Sequence, residues 1–199
     1  MKTITSDILK VAKIASTNPI RPVLGCVCIT DTHLVATDSF KLLEVTRTGH
    51  KLDKFPEVGK TSKKVKKIAV PILINAKKLL SKLKFNRNST LPVLEEAILV
   101  NDSCGSIGIA TTDLETVTTI EFKKITGHFP GYKQIMPKDN HVSSITVDVN
   151  YLIELLTAFK GGTNPYVTLE FRGVEKPLVL IGISELNKNK KGLLMPAKI

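Results

Sequence analysis

Ser144-Ile145-Thr146-Val147-Asp148, running on into an amphipathic stretch from about Asn150 to Phe159, is a strand that turns into a helix. Polar and apolar residues alternate up to Asp148, the period of a half-buried strand. Beyond Asn150 the apolar residues recur at helical spacing. Three strands follow, at Tyr166 to Arg172, Leu178 to Ser184 and Leu193 to Met195.

The same order occurs twice upstream. Ser6 is placed to cap a helix from about Asp7 to Ser16, with Ile8, Val11, Ala12 and Ala15 on one face and Lys10, Lys13 and Thr17 on another. Strands are expected at Val23 to Thr30, at Leu34 to Ala36 after the turn Asp31-Thr32-His33, and at Lys41 to Thr46. A second pass opens with a strand at Lys67 to Pro71 and a helix near Ile74 to Leu83. It ends in strands at Glu95 to Val100, Ser106 to Thr111 and Glu115 to Phe122. The chain therefore reads as an α+β protein of repeated β-α-β-β(-β) units, with helices packed on one face of antiparallel sheets. Two lysine-rich segments, Lys60 to Lys67 and Asn187 to Gly192, read as solvated hairpin tips.

At 199 residues and 42% hydrophobic, the chain is long enough for a substantial core. No apolar run reaches the length of a bilayer span and the start, MKTITSDILK, lacks a secretory apolar stretch, so a cytoplasmic location and no membrane partner are expected. Twenty-nine basic against 18 acidic residues give a formal charge of +11, which favours a polyanionic partner. Lysine carries nearly all of that charge, since the only arginines are Arg21, Arg47, Arg87 and Arg172. Lysine touches phosphate as a flexible point charge, whereas arginine reads guanine edges in bidentate fashion, so backbone contact without base readout follows. The lack of Trp argues against single-strand binding by base stacking.

Catalytic constellations were not found. His33, His50, His128 and His141 have no metal-ligand spacing with cysteine or carboxylates, so neither a metal nor a cofactor is expected. Cys26, Cys28 and Cys104 suit reduced thiols packed in strands better than a disulfide framework. Asp38 and Asp113, in the similar contexts Ala-Thr-Asp-Ser and Thr-Thr-Asp-Leu, read as turn residues bonding local amides and not as a catalytic pair. The chain is thus expected not to be an enzyme.

Three segments in order carry a specific likeness: Arg21 to Gly25 leading to Val35-Ala-Thr-Asp-Ser-Phe-Lys-Leu42; Gly127-His-Phe-Pro-Gly-Tyr-Lys-Gln-Ile-Met-Pro137; and Leu193-Leu-Met-Pro-Ala-Lys-Ile199. Together with the helix Tyr151 to Leu156 they resemble the bacterial DNA sliding clamp, the beta subunit of the replicative polymerase. On this resemblance residues 1–137 look like a full middle domain of two repeat units. Residues 138–199 look like a half-size unit from the end of the last domain, with the family's first domain and the first half of its last one lacking a counterpart.

The resemblance implies a ring with sheets outside and helices around duplex DNA, here contacted through Lys10, Lys13, Lys77, Lys78 and Lys82. It implies a pocket for peptides of DNA polymerase, clamp loader or other clients, formed by Leu24, Thr37, Ser39, Phe40, Leu42, Pro137, Leu193, Leu194, Met195 and Pro196. Ser39 and Phe40 depart from the Gly-His or Gly-Tyr frequent in the family, and Ala197 from a usual Met. The family's rings contain twelve helical units, so chains with three helices each would close such a ring as a homo-oligomer of four, a tetramer. The rival reading is a clamp-derived interaction protein that forms no ring and binds clamp clients or a host clamp.

Overall fold

The computed structural model describes residues 3–47, 55, 63–85, 91–137, 144–160, 165–173, 175–185 and 187–197. The chain divides into two units, Met1–Tyr132 and Lys133–Ile199.

The first unit is built twice over. Its first half holds β1 (Ile4–Thr5), α1 (Asp7–Ala12), β2 (Cys26–Ile29), β3 (His33–Thr37) and β4 (Leu42–Thr46). Its second half holds β5 (Ile72–Asn75), α2 (Ala76–Lys82), β6 (Glu96–Val100), β7 (Ser106–Thr112) and β8 (Val117–Lys123). The halves exchange their opening strands. The sheets run β1-β6-β7-β8 and β4-β3-β2-β5, all neighbours antiparallel, so β1 completes the second half's sheet and β5 completes the first half's. The pairs are Ile4 with Ala97 on one side and Val27 with Ile74 on the other.

One core follows from this exchange. Ile8, Val11 and Ala12 of α1 and Leu79 of α2 join Val27, Ile29, Ala97, Leu99, Ile107 and Ile109 of both sheets in a single buried cluster. β2 is buried on both faces because its other side, Cys26 and Cys28, is covered by Tyr132. That explains a continuous apolar run in place of alternation. Arg47, one of the few arginines, is spent inside: it is buried and donates to the carbonyls of Thr3, Thr30 and Asp31. It thereby fastens the start of the chain to the β2–β3 turn.

The second unit is a single half: α3 (Val149–Phe159), β9 (Val167–Glu170), β10 (Leu178–Gly182) and β11 (Lys191–Leu194), in a sheet ordered β11-β10-β9. Its core is small, with Phe159 of α3 over Leu178, Leu180 and Leu194.

Several sequence expectations shift. α1 stops at Ala12 instead of Ser16; Lys13, Ile14 and Ala15 bond three residues back in tighter turns, and Ser16 donates to the Leu24 carbonyl. The strand expected at Lys67 to Pro71 lies at Ile72–Asn75, because proline has no N–H for a ladder. Asn75 then caps α2, its side chain accepting from the Lys78 N–H at 3.0 Å. The first lysine-rich segment is not a free tip over its described residues, whereas in the second Lys188 to Lys190 are exposed in the turn between β10 and β11 as expected. Lys63 and Val65 are bonded along the end of β6, to Asn101 and Leu99 respectively. Asn187 is buried, donating through its side chain to the Phe159 carbonyl at 2.7 Å. Residues 60–62 lie outside the described residues. Among the described residues Ser144 to Asp148 pairs with no strand, and Thr146 accepts the Ala197 N–H at 2.8 Å.

Candidate functional site

α1 and α2 pack against each other in the first unit because each turns its apolar stripe into the shared core. Their polar faces are thereby presented outward together. Lys10, Lys13, Lys77, Lys78 and Lys82 are all exposed on this pair. Lys13 and Lys77 line one cleft of about 730 Å³, shared with Ala12, Asn18 and Asn75. Lys10 is partly compensated by Asp7 at 2.8 Å, which holds the Asp7 carboxyl below its ordinary value.

A groove of about 470 Å³ lies elsewhere in the same unit, between Arg21-Pro22-Val23-Leu24, Ser39, and His128 with Pro130. Its position follows from how Gly127 to Tyr132 folds back. Tyr132 is buried against Cys26, Cys28, Val35 and Leu73, and its hydroxyl donates to Glu44 at 2.6 Å. Burial first, and then the Glu44 carboxylate, push the Tyr132 phenol up. Phe129 meets the Tyr132 ring edge-on at 6.3 Å. Gly127, at φ +145°, passes so close that a Cβ there would lie 2.7 Å from Val23 Cγ2.

The Ser39 corner is a tight turn held by Asp38. Its carboxylate accepts the N–H groups of Phe40 and Lys41, each at 2.9 Å, and pairs with Lys41 Nζ at 3.0 Å. These donors, Phe40 first, bring its pKa down to about 2. Thr37 Oγ1 donates to the Lys41 carbonyl at 2.8 Å, and Ser39 sits at φ 84°. Thr112 to Thr116 repeats the arrangement: Asp113 accepts from Glu115 and Thr116, Thr112 donates to the Thr116 carbonyl at 2.8 Å, and Leu114 sits at φ 83°. Both aspartates therefore serve the turns.

Of the residues assigned to a peptide pocket, the structure brings Leu24 and Ser39 together in the groove. Thr37 is buried beneath the turn, Leu42 packs under it beside Tyr132, and Phe40 stands 97% exposed. Pro137 and Leu193 to Pro196 belong to the second unit. There strand alternation splits the run: Leu193 and Met195 face outward, while Leu194 enters the core with Phe159. Leu194 is thus a core residue and not an exposed pocket wall. Pro137 is exposed.

No family model and no curated protein matches the chain by sequence. Solved structures do match. The Bacillus subtilis DNA polymerase sliding clamp aligns with 98% of this chain and 48% of its own, at 17% identity and a TM-score of 0.62. The beta subunit of DNA polymerase III from Borrelia burgdorferi, solved with a natural product, aligns at 16% identity and 0.63, and the Streptococcus pyogenes beta subunit at 15% and 0.64. The fold is that of the bacterial DNA sliding clamp. The chain spans about half the length of these clamps.

Within this clamp fold, sequence reasoning missed Arg21, Pro22, Val23, His128 and Pro130 as groove walls. The signal was present, since both segments carry the motifs quoted above, but only folding back of Gly127 to Tyr132 brings them face to face. Among the described residues no group of three or more His, Cys, Asp and Glu could hold a metal, and no helix is long and apolar enough to cross a membrane.

Proposed function

We propose that this chain is a sliding-clamp-like processivity factor, acting without catalysis, that contacts duplex DNA independently of sequence and docks client peptides in an apolar site. The observation that carries the reading is the clamp fold across 98% of the chain with five lysines exposed on one packed helix pair. Lysines aimed at phosphates give salt-sensitive, sequence-independent attraction, which permits sliding. An assembly of several copies closed around the duplex would supply retention that such weak contacts alone do not.

The docking surface is the Leu24–Ser39 groove of the first unit, and the second unit carries outward-facing Leu193 and Met195 of its own. Its apolar walls supply contact area, and methionine adapts its shape to different ligands. Phe40, exposed on the turn beside Ser39, offers an aromatic face to the same client. The partners are then DNA polymerase, clamp-loader or other client peptides.

Titration with a labelled clamp-binding peptide tests this. Leu24→Ala with Met195→Ala is expected to reduce affinity at least tenfold, the equivalent of about 1.4 kcal/mol. Circular dichroism and the melting transition check that the double variant is folded, since Leu24 is buried. Wild-type affinity in the folded variant would remove the groove from the account.

A second reading is favoured by the single-half second unit: an interaction protein of clamp fold that forms no ring and captures clamp clients or a host clamp. Such a protein would bind the peptide equally well yet gain nothing from DNA closed into a circle.

A further inference from the structure

We infer that the second unit pairs with the second unit of another copy of this chain, the two exchanging strands and packing α3 against α3 to rebuild a complete two-half domain. The inference rests on the second unit alone and holds whether or not the chain binds DNA or peptides.

The first unit supplies the pattern. Asn75 caps α2 and Asp148 caps α3, Asp148 accepting from the Asn150 and Tyr151 N–H groups. Aligned on these caps, Ile72, Leu73 and Ile74 of β5 correspond to Ile145, Thr146 and Val147. The outer edge of β5 bonds the segment after its own half's last strand, with the Ile125 N–H donated to the Leu73 carbonyl. Thr146 accepts from Ala197 in the same way. The inner edge of β5 pairs with β2 of the other half. Among the described residues the inner edge of Ser144 to Asp148 pairs with nothing, and β9, which stands where β2 stands, pairs only with β10. The second unit therefore has both a strand to donate and an edge that lacks one.

The helices agree. Ala76 of α2 and Leu83, which caps its end, are 4% and 2% exposed, buried in the core that both halves share. Their counterparts on α3, Val149 and Leu156, are 65% and 36% exposed. With Ile153 they leave an apolar face beside an open groove of about 420 Å³, lined by Ile153, Leu156, Pro165 and Val167 with Lys160 as its one charged residue.

A second copy is the occupant these features select. The strand offered and the strand lacking are both present in one chain, so a two-fold axis satisfies both at once. In a chain of net charge +11, a surface that meets its own copy must be poor in charge, and α3 carries only Glu154. Transferring the β2–β5 register sets Val147 opposite the partner copy's β9 at the Val167 position and Thr146 opposite the Thr168 position.

Cysteine cross-linking of the full chain tests the pairing. The variant Thr146→Cys with Thr168→Cys, in a Cys104→Ser background to remove the exposed native thiol, is expected to form a covalent dimer of twice 21.8 kDa on mild oxidation. Each single variant should form little, and mixing the two singles should restore the cross-link. Adding Val149→Lys, exposed here but aligned with the covered Ala76, should lower its yield at least tenfold and reduce the mass in solution. A double variant that stays monomeric on oxidation overturns the inference, as does a cross-link whose yield Val149→Lys leaves unchanged.

Discussion

Several side chains that look functional in the sequence are consumed by the fold. Cys26 and Cys28 sit back to back with Tyr132, and burial pushes both thiols up to about 11. Thiolate is the reactive form, so at pH 8 each is on the order of 0.1% ionised as well as shielded. Ellman's reagent at pH 8 is expected to titrate one fast thiol per native chain, Cys104, and three after denaturation. Three fast thiols in the native protein would contradict the packing of β2. The Asp38 turn was legible from the sequence because its contacts are local: every bond it makes lies within three residues. Arg47 was not, since its partner Thr3 is distant in the chain and a lone arginine carries no pattern.

Elements show the same division between local and long-range information. Helices and hairpins follow from periodicity and caps, and their order along the chain was readable. Which sheet a strand joins was not. β1 and β5 each cross to the other half, a choice made by apolar residues far apart in sequence. The outward turn of Met195 and the inward turn of Leu194 follow from the register of β10 and β11, where Leu178 faces Leu194. That register depends on Gly182, where a Cβ would collide with the Asn187 backbone carbonyl. Gly182→Ala is expected to destabilise the second unit by about 1–3 kcal/mol, as overpacking against backbone does. A urea melt of the full chain followed by far-ultraviolet circular dichroism would reveal it, and an unchanged midpoint would contradict the close approach of Asn187 to Gly182.

For the whole molecule, the first unit is a self-sufficient pair of halves and the second a half with its edge and helix face open. Two chains joined through their second units would carry three complete two-half domains, and further association of such pairs is the route by which a ring would close. The clamp account then makes one demand that no basic binding protein shares: retention must depend on the topology of the DNA. The direct measurement is the half-life of the protein on covalently closed circular DNA before and after a single cut, at a salt concentration that suppresses plain lysine–phosphate attraction. The account predicts long retention on the circle and rapid loss on linearisation. Equal half-lives on both forms would contradict it.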